Sequence, residues 1–322
     1  MQMDVNLLAG LGMALYVAWG IGSNDATMAA LAGSGFLNLK STALLGGVMA
    51  FLGAVLLGQR VEATIGKNLL LGSITVIDVL IILFSTATWS TIASYRGWPI
   101  STTHSAVGAV MGLGLIKLGL DGIAWGTLSG IAVAWAVSPL IGLIGALVLS
   151  KLLKWILRRR VHGLRQQIEI SRISAFLLLF WASLTSFSRG ANDVANVTAF
   201  LSNLPQYDPL LVRAIGGVGM TLGLVVLGRK VIRSVGLDLV ELNPVTALAA
   251  QISVALTMFI GTWFGLPLSG THILVGAIIG LGLAEGIWMN IKGITEILYI
   301  WVATFTGAAG ITVAIYLIIN LF

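Results

Sequence analysis

The sequence predicts an all-α polytopic membrane protein made of two inverted-topology repeats, with broken helices and paired re-entrant helical hairpins. The first observation behind this prediction is composition: 57% of the 322 residues are hydrophobic and only 9% are charged. Soluble domains usually carry about 25% charged residues. The mean hydropathy of +1.00 points the same way. The chain therefore has the composition of a protein embedded in lipid.

Apolar stretches recur along the chain at lengths close to the roughly 20 residues that a helix needs to cross the hydrocarbon core. Five lie in each half of the chain, with approximate bounds 5–35, 41–58, 69–97, 99–120, 123–153, 173–202, 209–228, 244–264, 266–284 and 294–321. The 40 glycines suit close helix packing in lipid. The absence of cysteine excludes disulfides and thiolate metal sites.

A basic stretch separates the two halves. Residues 151–172 read KLLKWILRRRVHGLRQQIEISR, with seven Lys or Arg residues against a single acid, Glu169. By the positive-inside rule this stretch is cytoplasmic, and we prefer that interpretation to a lipid-headgroup or nucleic-acid site. The predicted organisation is a first transmembrane repeat at 1–155, a basic cytoplasmic linker at 156–172 and a second transmembrane repeat at 173–322.

Three motifs recur in the same order in both halves. GSNDATMAALAGSG from Gly22 matches GANDVANVTAFLSN from Gly190, and WPISTTH from Trp98 matches LPLSGTH from Leu266, each 168 residues later. LGQRV in the first half matches LGRKV in the second at an offset of 170. Polar motifs that stay in register in this way indicate an internal duplication.

The number of membrane crossings in each half is odd, whether all five segments cross or the third and fourth form one re-entrant hairpin. The second repeat is therefore expected to be inverted relative to the first, as in many secondary transporters. With the linker in the cytoplasm, both termini are expected on the extracytoplasmic side of the cell (plasma or inner) membrane.

The motif PISTTH is expected to begin a helix within an apolar region. Pro99 disfavours continuation of the preceding helix, and the hydroxyl residues after it are good helix caps. A helix N-terminus presents free N–H groups and a positive dipole end, so this tip is a candidate anion site. Symmetry brings the second copy toward the first. The candidate anion-binding residues of the two tips are Ser101, Thr102, Thr103, Ser269, Gly270 and Thr271.

Two Asn-Asp pairs, Asn24-Asp25 and Asn192-Asp193, lie within apolar stretches. A carboxylate at membrane depth costs about 2.5 to 3.5 kcal/mol, which indicates a function or a partner. The glycine before each pair is expected to let the helix break. All four side chains are candidate sodium ligands, and the two carboxylates are also candidate proton carriers or acceptors of the O–H of hydrogen phosphate.

A simpler role for the second carboxylate is also open. Asp193 could pair with Arg189 as a packing element. Under this alternative Asp25 lacks such a partner, because Ile21 stands where the second copy has Arg189.

These motifs resemble the inorganic phosphate transporter (PiT) family of cation-coupled symporters. The resemblance rests on GANDVAN at 190–196, on GSNDATM at 22–28 and on the paired PISTTH and PLSGTH, and it covers essentially the whole chain. It implies that the tips hold phosphate, that the Asn-Asp motifs bind sodium or relay a proton and close the site, and that the protein is a homodimer. Two positions depart from the doubled pattern: Met28 is opposite Asn196, and Gly270 is opposite Thr102.

The resulting hypothesis is a secondary transporter that imports inorganic phosphate with sodium or protons by alternating access. No cofactor other than the coupling ion is expected, and no nucleic-acid partner. A sulfate permease of the same fold stays open because Gly270 lacks a hydroxyl, and an anion channel is a weaker alternative. An enzyme is not expected, since the chain has no nucleophile–base pair, metal-ligand spacing or nucleotide loop. His104 and His272 follow the tips and are candidates for proton sensing, anion contact or helix capping.

Overall fold

The computed structural model describes residues 5–65, 69–161, 163–201, 207–266 and 268–321. Within these ranges the chain forms thirteen α-helices and no extended strand. The helices are α1 Val5–Ser23, α2 Ala29–Gly33, α3 Leu39–Leu57, α4 Gln59–Ile65, α5 Val76–Arg96, α6 Thr102–Leu118, α7 Trp125–Arg160, α8 Leu164–Leu201, α9 Pro209–Gly223, α10 Arg229–Gly236, α11 Pro244–Trp263, α12 Gly270–Glu285 and α13 Ile291–Leu321. A π-helical segment at 224–228 joins α9 to α10. The prediction of an all-α protein is confirmed.

Seven helical segments in the described part of the chain are long and apolar enough to cross a membrane. They are α3, α5, α7, α8, the continuous segment from α9 to α10, α11 and α13. Shorter apolar helices lie at 10–23 and in α12. The chain is therefore a multi-pass membrane protein, as its composition predicts.

The helix break predicted at WPISTTH is present. α5 ends at Arg96, and Gly97 follows with φ of 73°, a left-handed conformation that glycine adopts without strain. The chain is non-helical over 98–101, and α6 then begins at Thr102. The second copy has the same form: α11 ends at Trp263 and α12 begins at Gly270. Pro267 lies outside the described residues.

Each break turns the chain back on itself. An antiparallel bridge pairs Leu70, before α5, with Ile123, after α6. The matching bridge pairs Val240, before α11, with Met289, after α12. The outer ends of each helix pair are thus tied together, so α5–α6 and α11–α12 are two helical hairpins with their tips at the breaks.

The helix breaks predicted at the Asn-Asp motifs occur in one half only. α1 ends at Ser23 and the chain turns over 24–28, whereas α8 continues through the second motif to Leu201. In α8, Arg189 and Asp193 form an i,i+4 ion pair that requires a helical turn. The matching Ile21 cannot make this pair, so the first half lacks it. The predicted break in the second half is therefore wrong, and the ion pair is one contact that supports the continuous helix there.

The glycine before each Asn-Asp pair has a packing role that the sequence did not indicate. A Cβ on Gly22 would lie 2.0 Å from the carbonyl oxygen of Met220, and one on Gly190 would lie 2.1 Å from that of Ala50. Real Cβ atoms do not approach so closely. The two glycines therefore allow helix backbones from opposite halves to touch, as small residues do in membrane helix packing.

The predicted linker at 156–172 is mostly helical. α7 extends to Arg160 and α8 begins at Leu164, so the described non-helical residues between them are Val161 and Gly163. Lys, Arg and Gln are good helix formers, which explains how helices continue through a basic stretch.

The two halves are interleaved in space. α6 packs against α13 and α12 packs against α7, so the second helix of each hairpin contacts the long final helix of the other half. α1 likewise packs on α9, and α3 on α8. The indole N–H of Trp301 in α13 donates to the carbonyl of Pro99 at the first tip, at 3.1 Å. Both hairpin tips therefore lie at the interface between the halves.

Candidate functional site

The carboxylates of the two Asn-Asp motifs meet on one guanidinium. Nε of Arg189 donates to Oδ2 of Asp193 at 2.7 Å, and Nη1 of Arg189 lies 3.3 Å from Oδ1 of Asp25. The three side chains are only 1 to 3% exposed. We call these residues the charge triad. Asp25 belongs to the first half and the other two residues to the second. The expectation that Asp25 has no arginine partner is wrong, because Arg189 reaches across the interface.

The charge triad contacts both hairpin tips. Oγ1 of Thr102 donates to Oδ1 of Asp193 at 3.3 Å, and Nη1 of Arg189 donates to Oγ1 of Thr271 at 3.2 Å. One candidate anion residue from each tip, Thr102 and Thr271, and the two candidate cation-binding carboxylates therefore lie in one buried cluster around Arg189.

Thr27 is a member of this cluster that the sequence did not reveal. Its backbone N–H and its hydroxyl both donate to Oδ1 of Asp25 at 2.7 Å. These two bonds fix the first carboxylate within the non-helical turn after α1. The matching residue in the continuous helix α8 is Ala195, so the duplication carried no signal for this contact.

Serine caps the second helix of both hairpins. Oγ of Ser101 accepts from the backbone N–H of His104, and Oγ of Ser269 accepts from that of His272, each at 3.3 Å. The predicted capping is thus confirmed at both tips. Thr103 and Gly270, the remaining candidate tip residues, are buried in the first turns of α6 and α12.

The missing hydroxyl at Gly270 has a steric explanation. A Cβ at this position would lie 3.1 Å from Cδ of Arg189 and 3.5 Å from its Nε and Nη1. The second tip has no side chain where the guanidinium passes. The two departures from symmetry, Arg189 opposite Ile21 and Gly270 opposite Thr102, therefore belong to the same local arrangement.

Asn24 holds the first hairpin break in place. Its Nδ2 donates to the carbonyl of Trp98 at 2.8 Å and to Oγ of Ser94 at 3.1 Å, and its Oδ1 accepts from the N–H of Ile100 at 2.8 Å. Both ends of this amide are engaged with hairpin residues. Its contact with the break is therefore structural, and sodium ligation by Asn24 stays a prediction.

Asn192 makes the equivalent contacts in the second half. Its Nδ2 donates to the carbonyl of Leu266 at 2.8 Å and to Oγ1 of Thr262 at 3.3 Å, partners offset by 168 residues from those of Asn24. In contrast to Asn24, its Oδ1 is buried and has no hydrogen-bond partner among the described residues. Oδ1 and Nδ2 of Asn196 are likewise buried and have no hydrogen-bond partner among the described residues. These oxygens are chemically suited to a hard cation such as sodium.

The two histidines join the tips through their rings. The imidazoles of His104 and His272 lie edge to face, with centroids 4.5 Å apart. His104 packs on Trp135 and His272 on Trp301, each pair at 3.7 Å. Nδ1 of His104 lies 3.2 Å from the carbonyl oxygen of Trp301. These contacts support packing between the tips, and the alternative roles of the histidines stay predictions.

Sequence and structure comparisons agree on one class of protein. Residues 21–312 match the model of the phosphate transporter family. The chain is 28% identical to inorganic phosphate transporter 2-1, chloroplastic, of Arabidopsis thaliana, over 95% of this chain and 70% of that protein. Among solved structures, one titled "The sodium-dependent phosphate transporter" superposes with a TM-score of 0.85 and 26% identity, covering 99% of this chain and all of the other.

Proposed function

Because the chain belongs to the phosphate transporter family, we propose that it imports inorganic phosphate by symport with a cation, sodium in the first instance. The family is one of transporters, in agreement with the prediction that the chain is not an enzyme. The observation that carries the proposal is the contact of the charge triad with both hairpin tips. It joins candidate anion donors and candidate cation acceptors in one buried site.

Charge balance gives a physical reason for coupling. With its three side chains ionised, the charge triad carries one net negative charge. Bringing an anion to this site adds negative charge at a place shielded from water, which is costly without a counter-ion. One sodium ion neutralises the triad alone, and further cations offset the phosphate. Sodium or proton binding at Asp25 and Asp193 would therefore favour phosphate binding, which is the requirement for symport.

The cation site that we propose uses the oxygens of the Asn-Asp motifs. In the second half, Oδ1 of Asn192 lacks a hydrogen-bond partner among the described residues. Asn192 directly precedes Asp193 in the sequence, so the two side chains are candidate ligands of one cation. In the first half, Asp25 is the candidate ligand, because the oxygen of Asn24 accepts from Ile100. A protonated carboxylate in place of sodium is the competing form of the same proposal.

The phosphate site that we propose lies between the N-termini of α6 and α12. The first-turn N–H groups and the hydroxyls of Ser101, Thr102, Thr103, Ser269 and Thr271 would supply donors, and Gly270 would supply its N–H. Arg189 lies beside the second tip, so its guanidinium supplies a charged donor there although Gly270 has no hydroxyl. The missing hydroxyl at Gly270 therefore gives little support to sulfate as the substrate, and sulfate serves as a control anion.

Removal of the capping hydroxyls tests the tips. Ser101→Ala and Ser269→Ala are each expected to weaken phosphate affinity roughly tenfold or more, since a hydrogen bond to a charged group contributes about 1.5 to 3 kcal/mol. Thr75→Ala is the matched control, because Thr75 caps α5 at the end opposite the tip. Equilibrium binding of labelled phosphate to purified protein measures the effect. Unchanged affinity in both serine variants would remove the tips from the site.

Alternating access between inverted repeats is part of the proposal. Its support is the pairing of equivalent contacts in the two halves, such as Asn24 with Trp98 and Asn192 with Leu266. Inversion would place α6 and α12 on opposite sides of one central site, so that each hairpin could act as the gate for one face. Dimerisation stays a prediction of the family resemblance.

Membrane orientation is testable because the chain has no native cysteine. Single cysteines at Gly163, between α7 and α8, and at Asn320, near the end of α13, are both exposed. We expect an impermeant thiol reagent added to intact cells to label position 320 and to leave position 163 unlabelled until the membrane is opened. The reverse pattern would contradict a cytoplasmic linker, and equal labelling would contradict the proposed parity.

The transport proposal itself is tested with proteoliposomes. Labelled phosphate is expected to accumulate above its external concentration when an inward sodium gradient is imposed, and excess unlabelled sulfate should not compete. Accumulation driven by a proton gradient alone would identify the competing coupling ion. Uptake that only equilibrates phosphate, whatever the gradient, would identify a channel and overturn the symport mechanism.

A further inference from the structure

A cavity rich in cations lies away from the charge triad. It has a volume of about 620 Å³ and is bounded by the start of α3, the π-helical segment and α10. Four basic residues line it: Lys40 on α3 and Arg229, Lys230 and Arg233 on α10. Among the described residues that line it, none is acidic.

Three of these cations have no counter-charge in the described part of the chain. Lys40, Arg229 and Arg233 take part in none of the ion pairs or side-chain hydrogen bonds among those residues. Lys230 is engaged differently: Nζ donates to the carbonyl of Tyr95 at 3.1 Å and lies 4.2 Å from the centre of its ring. Lys230 therefore links the cavity to the C-terminal end of α5, next to the first hairpin break.

The equivalent positions in the duplicated chain show that the fold does not require this charge. At an offset of 170 residues, Arg229, Lys230 and Arg233 match Gln59, Arg60 and Ala63 in the first half, and Lys40 matches Leu210 in the second. Arg60, the counterpart of Lys230, makes the same kind of contact with a hairpin, since its Nη1 donates to the carbonyl of Trp263 at 3.3 Å. One cation on each half thus holds a hairpin, and the other three cations of the cavity are additional.

The cavity wall also has an apolar part. Leu39, Val226 and Leu227 lie beside the cations, and Val226 is 57% exposed on a segment long enough to cross the membrane. A wall that combines cations with exposed aliphatic side chains matches a lipid, whose phosphate and acyl chains meet at the membrane interface. A free anion would use only the cations.

We propose that this cavity binds a phosphate group, and that the phosphate belongs to the headgroup of an anionic lipid. Arg229 and Arg233 are separated by one helical turn and can face the same group. Lys40 approaches it from α3. Because Lys230 connects the cavity to Tyr95, an occupied cavity would brace the first hairpin from outside the transport site. This inference does not depend on the transported ion.

The experiment is native mass spectrometry of the full chain purified in detergent, with phosphatidylglycerol or phosphatidylcholine added. We expect phosphatidylglycerol to be retained preferentially, and Arg229→Gln combined with Arg233→Gln to weaken its retention about tenfold or more. Arg165→Gln combined with Arg172→Gln is the matched control, since it removes the same charge from exposed positions on α8. The control variant should retain phosphatidylglycerol as wild type does.

A competition experiment distinguishes a lipid phosphate from free inorganic phosphate as the ligand of the cavity. Displacement of phosphatidylglycerol by millimolar inorganic phosphate, lost in the cavity variant, would assign the cavity to the free anion. Equal retention of the lipid by wild type and both double variants would overturn the site, because binding would then not depend on the cavity. Equal loss in both variants would also overturn it, because binding would then depend on net charge alone. The measurement involves no transport, so it is independent of the outcome of the uptake assay.

Discussion

Arg189→Gln is expected to destabilise the protein by about 3 to 5 kcal/mol, the cost of breaking a buried ion pair by removing one partner. Two buried carboxylates from opposite halves would then face each other without the guanidinium that joins them. Thermal unfolding of the detergent-purified protein, followed by size-exclusion chromatography, measures the loss. A strong decrease in the yield of folded protein would be the same result in its extreme form.

A second variant separates charge from packing. Arg189→Gln combined with Asp25→Asn removes one charge of each sign, and we expect it to recover part of the lost stability. Arg172→Gln, at an exposed position on the same helix, is the control and should unfold like wild type. An Arg189→Gln protein as stable as wild type would show that the guanidinium does not balance the two carboxylates.

Asp25→Asn and Asp193→Asn are each expected to abolish concentrative phosphate uptake while the protein stays folded. Either change preserves side-chain shape but leaves Arg189 with a single carboxylate, so the triad becomes neutral. An amide oxygen also compensates a sodium ion much more weakly than a carboxylate does in a low dielectric. Gradient-driven uptake into proteoliposomes is the measurement, with Asp121→Asn at an exposed position as the control.

The same variants distinguish the possible roles of the carboxylates. If the carboxylates bind sodium, the variants should lose sodium stimulation in particular. If they mainly accept the O–H of hydrogen phosphate, sulfate, which carries no such proton near neutral pH, should bind comparatively better to the variants than to wild type. Normal gradient-driven uptake by both single variants is incompatible with either role.

Much of the fold could be predicted from the sequence because the lengths of the apolar stretches, and the proline and capping residues between them, are local signals. The apolar stretches became helices, although α5 begins at Val76 rather than near 69 and α8 begins at Leu164 rather than near 173. The hairpin breaks fell where Pro99 and the capping Ser101 indicated. The capping of Ser269 followed from the duplication. Such features depend on residues within a few positions of one another, which a sequence displays directly.

The errors arose where a contact joins distant segments. The glycine before Asn192 is expected to let the helix break, but α8 continues through it, and Gly190 instead lies against a carbonyl of Ala50 in the other half. The contact of Arg189 with Asp25 spans 164 residues, and only its neighbour Asp193 was visible as a possible partner. The absence of a side chain at Gly270 was interpreted as a lost donor, whereas the space is used by the guanidinium. Symmetry arguments fail at such positions because the two halves differ there.

Equilibrium binding of phosphate to the purified protein, with and without sodium, tests the central claim most directly. Since coupling is reciprocal, sodium should raise phosphate affinity, and phosphate should raise sodium affinity by the same factor. We expect a factor of about ten or more in wild type and its loss in Asp25→Asn and Asp193→Asn. Phosphate affinity that is identical in sodium and in choline, at both acid and neutral pH, would contradict a cation-coupled site at the charge triad.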